Sequence, residues 1–121
     1  MIGEIKDWWD QAKRDFISAK NCFKSKDYYL CSFMCQQAVE KSFKALILRH
    51  GINILKVRDL IFLAKKLNLP SDLLNKCDRL SKVYIETRYP ELPGKPPFKK
   101  FNVSRTKDHI EIAGELLYQK N

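Results

Sequence analysis

Cys35-Gln36-Gln37-Ala38-Val39-Glu40-Lys41-Ser42-Phe43-Lys44-Ala45-Leu46 reads as the middle of a long helix. The helix runs from about Tyr28 to His50 and stops at Gly51, the residue type that most readily closes a helix C-terminus. On a helical wheel Cys31, Met34, Cys35, Ala38, Ser42, Ala45 and Leu46 share one face. Val39, Phe43 and Ile47 widen that face well past the arc of roughly 100° that one core contact needs. A helix apolar over so much of its girth is buried on two sides, and in so short a chain a second copy is one source of the second contact. The remaining stripe carries Gln37, Glu40, Lys41 and Lys44 within about a third of the circumference. Two readings of it stand open. Glu40 and Lys44 are a favourable i,i+4 pair, worth a few tenths of a kcal/mol on an exposed surface. The same stripe is also a polar ridge where a basic pair meets phosphate.

Outward from this helix the pattern stays helical. Ile5, Trp8, Trp9, Ala12, Phe16, Ala19 and Phe23 recur at intervals of three and four, predicting a first helix over 4–24. Ser25-Lys26-Asp27 supplies a break and an N-cap for the second. A third helix is expected over about 58–67, with Leu60, Ile61, Ala64 and Leu67 inward. A fourth, capped by Leu69-Pro70-Ser71, is expected over about 72–87 with Leu73, Leu74, Cys77, Leu80 and Tyr84 as its stripe. Residues 88–103 hold four of the five prolines and predict a long loop. Ser104 is expected to cap a last helix carrying Ile110, Ala113, Leu116 and Leu117. The expected fold is all-α, an antiparallel bundle of four to five helices forming one domain over residues 1–121.

Composition agrees, and it restricts function. The chain has 121 residues, four Gly and five Pro, too few turn residues for a sandwich or barrel. No apolar run approaches the roughly 20 residues of a membrane span, and the N-terminal segment lacks the apolar core of a signal peptide. A cytoplasmic protein with no membrane association is expected. Cys22, Cys31, Cys35 and Cys77 show no Cys-x-x-Cys spacing; Cys31 and Cys35 share a helix face, but a structural zinc needs four ligands. Core packing is the expected role of these thiols, with no metal or cofactor. The formal net charge of +9 favours encounters with polyanions, or simply a solvated lysine-rich surface.

Four blocks together resemble the HEPN domain family. They are Trp8-x3-Ala12-x2-Asp15-x3-Ala19; Gln36-Gln37-Ala38-x-Glu40-Lys41-x2-Lys44-Ala45; Arg58-Asp59-Leu60, with Arg58 where the family usually has His; and Thr87-Arg88-Tyr89-Pro90, matching an Arg-Tyr-Pro motif. The blocks occur in the family's order and span nearly the whole chain. The resemblance implies a helical bundle that commonly forms homodimers and often works beside a separately encoded minimal nucleotidyltransferase, some related domains helping to bind nucleotide or substrate. Other members are metal-independent ribonucleases that act as toxins or in defence, including toxin–antitoxin pairs.

The ribonuclease members carry Arg, four to six residues, then His. Arg88 is followed by Tyr-Pro-Glu-Leu-Pro-Gly with no His, and the nearest match, Arg105-Thr-Lys-Asp-His109, has three intervening residues. That i,i+4 spacing does put Arg105 and His109 on one helix face. A His for proton transfer beside an Arg for phosphate charge suits RNA cleavage, so this pair is the weak catalytic candidate. The basic segment 94–107 holds Lys95, Lys99, Lys100, Arg105 and Lys107 with Phe98 and Phe101 interleaved. Aromatic faces amid cations suit stacking on bases, and equally both Phe side chains tuck the loop onto the bundle while the lysines stay solvated. Tyr89 is placed to stack on a ring and Arg88 to hold phosphate in two-point contact. The functional expectation is a non-catalytic homodimer that binds nucleotide or substrate, or RNA, through Gln37, Glu40, Lys41, Lys44, Arg88, Tyr89 and Lys95, for a nucleotidyltransferase partner. The alternative is a ribonuclease toxin with a degenerate Arg/His site.

Overall fold

A computed structural model describes residues 2–52, 58–88 and 96–118. Among them are α1 (Ile2–Lys24), α2 (Tyr28–Arg49), α3 (Leu60–Lys66), α4 (Ser71–Ser81), α5 (Val83–Arg88), a 3-10 turn (Pro97–Lys100) and α6 (Val103–Tyr118), with no strand. The architecture is the expected all-α bundle.

α1 and α2 form an antiparallel hairpin across three residues. Lys26 takes a left-handed conformation (φ 65°), letting its N–H bond the Phe23 carbonyl at 3.1 Å and that of Asp27 the Cys22 carbonyl at 2.8 Å. These two bonds satisfy carbonyls that the end of α1 would otherwise leave open. Asp27 occupies the cap position of α2 as expected, but its side chain makes no capping bond. The same holds at α4, where Pro70 sits at the cap position and has no side-chain group to offer.

α2 is the central helix and touches every other element. Its wide apolar girth is therefore covered by its own chain: Cys31, Cys35, Ala38, Val39 and Phe43 are wholly inaccessible, and Ile47 nearly so. The girth does not require a second copy. Cys77 lies in the same core, where burial pushes its thiol up to about 12, so it stays a neutral packing residue.

α3 begins at Leu60, two residues later than expected, because Asp59 caps it. The Asp59 carboxylate accepts the Ile61 N–H at 2.9 Å and the Ser81 hydroxyl at 3.4 Å, while Ser81 Oγ accepts the Leu60 N–H at 3.1 Å. This clasp ties the start of α3 to the end of α4. Asp59→Ala is expected to cost about 1 kcal/mol, the usual value of an N-cap. A urea melt indistinguishable from that of the parent chain would contradict it.

The expected fourth helix is two helices, broken at Lys82. α6 is capped by Asn102, not Ser104: Asn102 Oδ1 accepts the Arg105 N–H at 2.8 Å, and Ser104 lies inside the first turn. Of the two loop phenylalanines, Phe101 is buried and Phe98 stands in solvent. The expected tucking is met by one of them.

Candidate functional site

The polar stripe of α2 is an internal charge network. Glu40 is buried, accepting from Lys44 Nζ at 2.9 Å and Gln36 Nε2 at 3.3 Å, with Arg58 Nη1 at 3.6 Å. Lys44 is also buried, its ammonium 5.6 Å from the centre of the Trp8 ring. Lys41 reaches across to the buried Asp15 at 2.5 Å, a carboxylate that also accepts from Gln11 at 2.9 Å. Gln37 donates to Gln36 at 2.8 Å. The Glu40–Lys44 pair forms as the spacing predicted, but under cover of α1. Its energetics are those of a buried pair, with neither charge free to lose its partner.

The network surfaces at Arg58. This half-exposed guanidinium rests 5.0 Å from the centre of the Tyr84 ring, and Arg88, the last residue of α5, rests 4.7 Å from the same ring. Arg88 is also 5.8 Å from the Phe33 ring, and Phe33 stacks on Tyr84 with centroids 6.5 Å apart. Arg88 is exposed and has no carboxylate partner among the described residues. Two hollows flank the ladder: one of about 330 Å³ bounded by Arg58, Asp59, Ser81, Lys82 and Tyr84, and one of about 200 Å³ bounded by Tyr29, Phe33, Thr87 and Arg88. Two cations against stacked rings make a surface that accepts an anion, a planar ring or both.

Sequence reasoning reached Arg88 and missed the roles of Tyr84 and Phe33. Tyr84 and Arg88 are four apart, which was a legible signal; Phe33 comes from α2, and only the fold brings it there. Tyr89 and Lys95 lie outside the described residues.

Arg105 and His109 do share a face of α6, but each has other work. Arg105 pairs with Glu86, donates to the Lys100 carbonyl at 3.1 Å and lies 4.6 Å from the Phe101 ring centre. It anchors the 3-10 turn to α5 and α6. His109 is buried, with Nδ1 2.8 Å from Ser32 Oγ and Phe101 edge-on to its ring. Burial first, and then the nearby Arg105 charge, lower its pKa to about 4, so the imidazole is neutral at pH 7. The pair borders a hollow of about 220 Å³ with Arg79, Lys82 and Asp108. Among the described residues no group of three or more His, Cys, Asp or Glu side chains is placed to hold a metal, and no helix is long and apolar enough to cross a membrane.

The buried stripe on α2, the Arg58-Asp59-Leu60 clasp and the terminal arginine of α5 are the family blocks in their folded positions. The HEPN domain model matches residues 5–118, and the chain belongs to that family. It is similar to two solved structures. TT1696 from Thermus thermophilus is 27% identical, over 94% of this chain and 93% of that one, with a TM-score of 0.87. ST0689, an archaeal HEPN homologue, is 29% identical, over 94% and 92%, with a TM-score of 0.82. No curated protein matches the chain.

Proposed function

We propose that the chain acts as one cytosolic domain, a non-catalytic HEPN homodimer that holds a nucleotide for a separately encoded minimal nucleotidyltransferase. The observation that carries this reading is the Arg58–Tyr84–Arg88 ladder, in which Arg88 is positioned by two aromatic faces and keeps its charge without a carboxylate among the described residues. A guanidinium so held is prearranged for phosphate, and the half-buried rings of Tyr84 and Phe33 beside it offer an aromatic edge to a base. Tyr89 and Lys95, outside the described residues, are proposed as further contacts to the same nucleotide. Gln37, Glu40, Lys41 and Lys44 serve it from beneath: their pairing fixes α1, α2 and the residues before α3, and Glu40 steadies Arg58.

The ribonuclease reading has one observation in its favour, that Arg105 and His109 border one hollow. Against it, Arg105 is engaged with Glu86 and the Lys100 carbonyl.

Calorimetric titration with ATP tests the proposal. Saturable heat is expected, and Arg88→Ala should weaken binding about tenfold, the usual scale for one charge-assisted phosphate contact. No heat, or an unchanged affinity in the variant, would overturn it. RNA cleavage in EDTA that disappears with His109→Ala would instead establish the enzyme. Light scattering in solution reads the dimer.

A further inference from the structure

At the far end of the α1–α2 hairpin from the connecting turn, a cleft of about 450 Å³ lies between the two helices. Ile5, Lys6 and Trp9 line it from α1, and Ala45, Leu46 and Arg49 from α2. Its volume falls in the range of small-molecule sites, and its walls are chiefly hydrocarbon and indole. Trp9 is only half buried: Tyr118 meets it edge-on with centroids 6.4 Å apart, and Lys13 approaches at 5.9 Å.

The charges at the rim are unequal. Lys6 is neutralised by Asp10 at 2.5 Å. Arg49, in the last turn of α2, is exposed and has no carboxylate partner among the described residues. Among the described residues, the cleft thus joins an apolar body to a single uncompensated cation. Hydrocarbon walls select no particular hydrophobe, but a guanidinium at one end selects a negative head, and its planar fork matches a carboxylate in two-point contact. One net positive charge suits a monoanion and disfavours a polyphosphate. This separates the cleft from the Arg58–Arg88 surface, and the inference does not rest on the proposed function.

We propose that the cleft binds a small amphipathic monocarboxylate, its aliphatic or aromatic body against Trp9 and Leu46 and its carboxylate on Arg49. The chain has two tryptophans, so Trp8→Phe leaves Trp9 as sole reporter. Titrating that variant with decanoate below its micellar range should shift Trp9 emission saturably, with 1-decanol binding roughly tenfold more weakly. Arg49→Ala should lower decanoate affinity roughly five- to tenfold and leave that of decanol unchanged. Equal binding of acid and alcohol, indifference to Arg49→Ala, or no saturable change would each overturn the assignment. So would a solution dimer that Leu46→Glu dissociates and decanoate does not, since the cleft would then belong to a second copy of the chain.

Discussion

Glu40→Ala should lower the stability of this chain by about 3–5 kcal/mol, as large a loss as truncating a core aromatic residue. The wild-type carboxylate is buried and receives Lys44, Gln36 and, more distantly, Arg58. Removing it leaves the buried ammonium of Lys44 facing Trp8 with no counter-charge. Most of the loss is the penalty of that orphaned cation, which outweighs what the pair contributes when whole. The double variant Glu40→Leu with Lys44→Met should therefore recover most of the stability, because two apolar side chains of similar volume replace two charges. Urea denaturation of the single and double variants measures both numbers. A double variant as unstable as Glu40→Ala would mean that the network holds the fold by geometry and not by charge balance.

The second large effect depends on acidity. His109 has its pKa lowered to about 4 in the native chain, while the same imidazole in an unfolded chain titrates near the ordinary 6.5. Between those values the unfolded chain binds a proton that the native chain refuses. Stability is thus full above about pH 6.5, falls as pH drops toward 4, and loses nothing further from this group below that. The two pKa values together correspond to about 3 kcal/mol. The charged groups around the ring are Arg105 and Arg79, which oppose protonation, and Asp108 and Glu86, which favour it. Ser32 faces its Nδ1 and makes a further bond to Thr106 at 3.3 Å, so the site offers two hydroxyls and no buried carboxylate contact among the described residues. Melts at pH 7.5, 5.5 and 4.5 should show the slope, and His109→Asn, less stable at neutral pH, should flatten it. An equal slope in the variant would place the proton elsewhere.

Much of this architecture is written in local pattern. The three-and-four spacing of α1 and the apolar girth of α2 are legible because they are periodicities, properties of neighbouring residues, whereas residues 89–95 of the proline-bearing segment expected to form a loop lie outside the described residues. The helix break at Lys82 and the capping of α6 by Asn102 are not legible in that way. Ser104 satisfies the same composition rule as Asn102, and only the backbone path decides which side chain reaches the free N–H. The candidate site divides along the same line. Arg88 stands out by motif and Tyr84 by its distance of four residues, but Phe33 comes from a helix far earlier in the chain.

The α2 stripe sharpens the point. Its sequence determines that Glu40 and Lys44 meet, since i,i+4 neighbours on a helix lie side by side whatever surrounds them. Whether that pair is a surface ornament or a buried strut depends on α1 folding back to lay Trp8 over it. For a charge, the surrounding dielectric sets the energy, and only tertiary structure supplies the surroundings. The sequence by itself therefore determined the all-helical class, the long helices α1 and α2, the family and the partners within a turn. The tertiary structure decided which charges are sealed in and which, like Arg88, are left facing outward.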